Sequence, residues 1–230
     1  ISSVKTGILL EDHQAQIVGN TVTEVRGTGI HCHNLVCSIK KNRIVGADQD
    51  GIKCSSTSPN IEDNYIASAS GNGIFCYGTI AKQYGEVDST PKIHKNIITQ
   101  NEKHGVYVGK NSMPDLGRED YKGYNSIWDN GEGAIFNESG NTIQAIGNWW
   151  GVSPPESHIF FGEVDYSLAL SKKPVSESFL ATNTHPITPQ MAEKLLPNRT
   201  TLERDVTEMV LIEAGDFEMG YRLNIHDEGE

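Results

Sequence analysis

Thr28-Gly-Ile-His-Cys-His33 and Asp50-Gly-Ile-Lys-Cys-Ser55 are two versions of one short segment, 22 positions apart. The Gly-Ile pair inside them recurs as Gly7-Ile8, Gly29-Ile30, Gly51-Ile52 and Gly73-Ile74, always at that step. Other positions share the phase: Asn20, Asn42 and Asn64; Ile17, Ile39 and Ile61; Val22, Ile44 and Ile66; Cys32, Cys54 and Cys76. A fixed period in the range of roughly 20–50 residues marks stacked units, each burying its apolar face against its neighbours.

Within a unit, apolar and polar residues alternate, which suits short half-buried strands and not helices. Glycine and asparagine punctuate the strands, as turns with positive φ require. The leucines of a leucine-rich repeat are missing. The pattern therefore predicts an all-β chain, a right-handed single-stranded parallel β-helix of about 22 residues per rung, with rungs about 4.8 Å apart. The period then slips. Asn96 and Gly105 arrive late, after extra residues at 79–91, and Asn125 and Ile127 arrive late after 110–124. Both insertions follow the Gly-Ile or Gly-Val strand, so both are expected to leave one corner of the coil, where solenoids place recognition or chemistry.

A hydrophobic share of 37% and a charged share of 21% fit a chain with a core, and the formal net charge of −11 argues against nucleic acid or an anionic membrane surface as partners. No run is long and apolar enough to span a bilayer. The chain opens at Ile1 in mid-rung. An open strand edge there predicts upstream residues with an export signal, hence an extracellular or periplasmic setting, and edge-to-edge self-association if the first rung is uncapped. The repeats reach to about residue 170, with Trp149 and Trp150 available to close the stack. Residues 171–205 read as a Pro/Ser/Thr-rich linker with one short helix at 190–196 behind Thr188 and Pro189. Residues 206–230 read as the start of a further domain.

Two resemblances follow from these residues. The Asn-x-[Val/Ile] and Gly-[Ile/Val] rungs, closed by Asn148-Trp-Trp-Gly and Val164-Asp-Tyr-Ser, resemble bacterial right-handed β-helix families that bind or process carbohydrate. Those families include polysaccharide lyases, mannuronan epimerases and the copper-delivery accessory protein of nitrous oxide reductase. The segment Met209-Val-Leu-Ile-Glu-Ala-Gly-Asp-Phe-Glu-Met-Gly resembles the opening of the formylglycine-generating (sulfatase-modifying) enzyme family, with Glu213 where that motif usually has proline. That family's catalytic cysteines lie downstream of this stretch, so the resemblance implies a domain but carries over no activity.

Alternation places Ile30 and Cys32 inward, so His31, His33, Lys53, Phe75, Tyr77, Tyr107 and Phe136 should share one outer stripe. Aromatic rings beside hydrogen-bonding groups suit sugars, which have apolar faces and polar rims. The expected function is recognition of a polysaccharide or glycan. A lyase or epimerase, or a scaffold displaying a downstream domain, are the competing expectations. Catalysis would need carboxylates near a base, with Glu86, Asp88, Asp115, Glu119 and Asp120 as candidates, none in a recognisable motif. Cys32, Cys54 and Cys76 should form an inward ladder of small hydrophobes, since a straight ladder gives poor tetrahedral geometry for a metal. Cys37 lies outside that ladder, so no disulfide is implied. No cofactor is implied; calcium would suit the carboxylates, but no motif supports it. Asn20, Asn42, Asn64, Asn96 and Asn125 should stack as a hydrogen-bonded ladder at a turn.

Overall fold

The computed structural model describes residues 6–11, 14–33, 37–81 and 85–175. The chain climbs as a parallel β-helix. Its first three rungs are β1 (Thr6–Glu11), β2 (Ala15–Val18) and β3 (Thr21–Thr23), then β4 (Thr28–His33), β5 (Cys37–Lys40) and β6 (Arg43–Val45), then β7 (Ile52–Ser55), β8 (Asn60–Glu62) and β9 (Tyr65–Ala67). The fourth holds β10 (Ile74–Tyr77), a hairpin of β11 (Thr79–Ala81) and β12 (Gly85–Val87), then β13 (Lys92–His94) and β14 (Ile97–Thr99). The fifth holds β15 (His104–Val108) and β16 (Ser126–Trp128). The sixth holds β17 (Gly133–Asn137) and β18 (Ile143–Gln144), and the stack ends on β19 (Phe160–Phe161) and β20 (Val164–Asp165). Three sheets result, in the orders β1-β4-β7-β10-β15-β17-β19, β2-β5-β8-β13 and β3-β6-β9-β14-β16. Parallel bridges from Lys92 to Asp115 and from Ser126 to Trp149 carry the second and third sheets further.

Like meets like between the three faces. Ile30, Ile52, Ile74, Val106 and Ile135 are in register on the first sheet, Ile17, Ile39, Ile61 and Ile93 on the second, and Val22, Ile44, Ile66, Ile98 and Ile127 on the third. All of these side chains are buried. Cys32, Cys54 and Cys76 form the expected inward column, followed by Val108, with no solvent exposure at any of the four.

The asparagine ladder fills the turn between the second and third sheets. In each rung the Asn backbone N–H and side-chain amide donate to the Oδ1 of the next Asn. Asn42 does so to Asn64 at 2.9 and 3.0 Å, and Asn64 to Asn96 at 2.9 and 3.0 Å. The ladder continues beyond the expected five members to Asn148, which accepts from Asn125 at 2.8 and 2.9 Å. The residue before each Asn is left-handed: Gly19, Lys41, Asp63, Lys95, Tyr124 and Gly147 have φ between 53° and 72°. Non-glycine residues resist that conformation and hold it only where surrounding bonds over-determine it. The ladder supplies those bonds.

The Gly-Ile glycines have a different role from the one the sequence suggests. Gly29, Gly51, Gly73 and Gly105 are absent from the positive-φ residues. They are glycine because a Cβ there would collide with the third-sheet isoleucine and with the carbonyl of the next rung: at Gly51, 2.5 Å from Ile66 Cγ2 and 2.7 Å from Gly73 O.

The two insertions also part company. The first is the β11–β12 hairpin, at the corner after the first sheet. The second does not share that corner. Gly105 to Asn125 is 20 steps where Gly51 to Asn64 is 13, and the surplus is the excursion 117–123 after the second sheet. Gly123 N–H donates to Ile146 O at 3.0 Å, and Tyr121 lies on His94 with ring centres 4.7 Å apart. At the far end, Trp150 is buried edge-on against Phe160 (4.8 Å), which stacks on Tyr166 (4.1 Å). Trp149 packs instead on Trp128 (5.3 Å), where Lys173 sits 3.9 Å above the Trp128 ring. Only one of the paired tryptophans closes the stack. The proposed linker beyond residue 175 and the segment 206–230 lie outside the described residues.

Candidate functional site

The outer face of the first sheet carries one side chain per rung in strict register: Leu9, His31, Lys53, Phe75, Tyr107, Phe136 and Phe161. Strand spacing sets the ring spacing. Centroids are 4.9 Å apart from Phe75 to Tyr107, 5.0 Å from Tyr107 to Phe136 and 5.9 Å from Phe136 to Phe161. The middle pair is stacked at 15°, so those rings show mainly their edges and the Tyr107 hydroxyl. The outer pairs are tilted by 33°, which opens the two ends of the row. Phe75, Tyr107 and Phe136 are half-buried and Phe161 is 41% exposed, so each ring keeps part of its surface in solvent. Tyr77, in the neighbouring column, leans on Phe75 at 5.3 Å. Lys53 Nζ lies 5.6 Å from the Phe75 ring and 5.4 Å from the Tyr77 ring, a cation–π pair at the row's edge.

The predicted histidines sit at the N-terminal end of this row. His31 Nε2 is 2.9 Å from Ser55 Oγ, and its ring centre is 6.3 Å from that of His33. Burial, with Lys53 and His33 nearby, lowers the His31 pKa to about 4, so the ring is neutral at physiological pH.

A residue outside the predicted stripe belongs to it. His104 is buried against Phe136 (5.0 Å) and Phe161 (5.7 Å), with Nδ1 3.4 Å from Glu132. Burial lowers its pKa and Glu132 opposes the shift. Counting alternation back from Val106 would turn His104 inward. Gly105 and Val106 both face the interior, since a Gly105 Cβ would lie 2.5 Å from Ile127 Cγ2. The phase flips at the glycine and His104 emerges outside. On the other flank Glu138 lies by the Tyr107 hydroxyl, whose pKa is raised by burial and then by that carboxylate.

Three of the carboxylates singled out from the sequence, Asp115, Glu119 and Asp120, lie at the second sheet and the excursion that follows it. Asp115 is on the second sheet, 2.9 Å from Arg118 Nε and 3.6 Å from His94 Nε2. Burial lowers the pKa of His94, with Asp115 opposing. Glu119 and Asp120 are exposed on the excursion beside it. That excursion leaves from the corner after the second sheet, away from the aromatic row. Glu86 lies on the hairpin strand β12, and the exposed Asp88 follows it. Glu132 and Glu138 flank the row. Among the described residues no three His, Cys, Asp or Glu side chains are grouped to hold a metal ion. Nor is any helix there long and apolar enough to cross a membrane.

Stacked rungs with an inner apolar column and an outer row of aligned side chains define a parallel β-helix repeat protein. The chain belongs to the family described as protein of unknown function (DUF1565), whose model matches residues 1–157. No curated protein matches it.

Proposed function

We propose that this β-helix is a glycan-recognition module acting outside the cytoplasm, with the outer row of the first sheet as its binding face. The observation that carries the proposal is the run Phe75, Tyr107, Phe136 and Phe161, one ring per rung and open to solvent. The tilted rings at the two ends of the row offer apolar area to sugar C–H faces, and Tyr77, the Tyr107 hydroxyl and Glu138 supply polar partners along the rim. Charge narrows the ligand class. Glu132 by His104 and Glu138 by the Tyr107 hydroxyl place carboxylates at the rings themselves, with Lys53 at the edge and Lys103 near His104, which favours a neutral glycan over a polyuronate.

A glycan array with neutral and uronate polymers, followed by titration calorimetry, tests this. Binding to a neutral glycan that weakens at least tenfold in Phe161→Ala, with an unchanged melting temperature, is the expected result. No binding to any glycan by the folded wild type would refute it. Release of ultraviolet-absorbing unsaturated products from uronate polymers would instead favour a lyase.

A further inference from the structure

We propose that Cys32 and Cys37 are a thiol–disulfide pair, joined by a covalent bond in the oxidised protein across the corner between the first two sheets. Cys32 projects inward from β4 and Cys37 from the first position of β5, and their sulfurs are 2.9 Å apart. That is inside the 3.5–4.0 Å at which even the smaller carbon atoms reach their optimum contact, and a disulfide brings sulfurs to about 2.05 Å. Two free thiols at this distance repel. A bond removes the repulsion with a small inward movement, within a site that is already buried on both sides.

The other ladder cysteines are placed differently. Cys32, Cys54 and Cys76 are directly in register on parallel strands, so their Cα–Cβ vectors run side by side. Cys37 approaches from a different sheet.

The corner itself supports a covalent role. Ser38 is in register with Asn60, and Asn60 with Lys92. Cys37 therefore stands where the next two rungs have Pro59 and Pro91, both buried. Proline restricts the backbone at that corner in the third and fourth rungs by fixing φ. In the second rung a link from residue 32 to residue 37 would restrict it instead. The bond would also anchor the strand that presents His31 and His33.

Formation follows ordinary thiol–disulfide exchange with a glutathione-type disulfide as oxidant. One cysteine thiolate attacks the reagent and releases one reduced glutathione. The second cysteine then displaces the other glutathione, so the two protein thiols lose one hydrogen each. The neighbouring Cys37 thiol, and then burial, raise the Cys32 thiol pKa. Thiolate is thus scarce in the folded protein, and the bond should form during folding far faster than afterwards.

The test is to refold the full chain in oxidised and in reduced glutathione, block free thiols by alkylation, and map peptides by mass spectrometry. The expected result is a Cys32–Cys37 linkage at the oxidising end, with Cys54 and Cys76 alkylated, and four alkylated cysteines at the reducing end. The Cys54→Ser variant should keep the linkage. Four free thiols after oxidative refolding, or a linkage that maps to Cys54 and Cys76 or between chains, would overturn the proposal. Mapping on the wild type makes the outcome independent of whether a Cys37 variant folds.

Discussion

Replacing Asn64 by alanine should cost the fold far more than the same change at Asn20, although both occupy the same ladder. Asn64 is in mid-stack. Its side-chain amide donates to Ile39 O at 2.8 Å, to Glu62 O at 3.1 Å and to Asn96 Oδ1 at 3.0 Å, while its Oδ1 accepts from the Asn42 N–H at 2.9 Å. Truncation leaves the buried Asn42 N–H and the Ile39 carbonyl without these partners. Each buried group orphaned in this way costs roughly 1–3 kcal/mol, so Asn64→Ala is expected to lose about 2–6 kcal/mol. Asn20 begins the ladder. Among the described residues its buried Oδ1 has no partner, and its amide makes the 3.2 Å bond to Val18 O and the 3.1 Å bond to Asn42 Oδ1. Asn42 Oδ1 keeps the Asn20 N–H at 2.9 Å after truncation, so Asn20→Ala should lose less than about 1 kcal/mol. Urea unfolding followed by circular dichroism measures both, at a slope shared with the wild type. Equal losses at the two sites, or an unchanged midpoint for Asn64→Ala, would show that the turn is held by something other than the amide stack.

Further outcomes follow from single contacts. Gly51→Ala should destabilise by about 1–3 kcal/mol through overpacking, since its Cβ would meet Ile66 Cγ2 at 2.5 Å; a neutral melting curve would contradict the collision. Ile39→Ala, at a fully buried position, should lose about 2–5 kcal/mol in the same urea assay, and a loss below about half a kilocalorie would argue against a packed core there. His31 should titrate with a midpoint near 4 by NMR. Its folded pKa lies below the ordinary 6.5, so its contribution to stability is complete above pH 6.5 and is lost as pH falls towards 4; His31→Gln should remove that part of the pH dependence. Glu62 is held below the ordinary 4.5 first by Lys95 and then by Lys40, against its own burial. The stability advantage of the wild type over Glu62→Gln should therefore be constant above about pH 5 and shrink as pH drops below 4.5, as acid unfolding of the two proteins would show.

The period of the sequence was enough to set the rungs, because stacking in register demands the same residue type at the same place in every turn. Ile39 over Ile61, and Cys32 over Cys54, are legible for that reason. What the period could not convey was why a residue type recurs. Glycine before isoleucine suggests a turn, and only the coordinates show that it is a gap left for the next rung's carbonyl. The same glycine misleads the alternation count, which hid His104 from the outer row. Asn148 escaped the ladder because the last full rung is longer by one residue, with 14 steps from Ala134 where 13 separate Gly51 from Asn64. The second insertion was misplaced because its first residues, through Leu116, are the rung itself and only 117–123 are surplus. Tertiary register, not local composition, decides which part of a long segment is loop.

The two sides of the first sheet are coupled in one respect and free in another. Backbone hydrogen bonds between strands set how far apart the rungs lie, so the spacing of about 5 Å between Tyr107 and Phe136 on the outside is imposed by the same ladder that stacks the core. The identity of each outer residue is not so constrained: Leu9, His31 and Lys53 occupy the same column as Phe75, Tyr107, Phe136 and Phe161 without disturbing the register. Aromatic character begins at the fourth rung, beside the corner where the β11–β12 hairpin leaves the coil. A ligand that used apolar contact would therefore bind to the C-terminal half of the column and run along the stack, meeting one ring per rung. It would need a repeating shape to match a repeating surface. A polymer meets that requirement and an isolated small molecule does not, which is why chain length is the informative variable in any binding assay: affinity should rise with each added sugar until four rings are covered, and then level off.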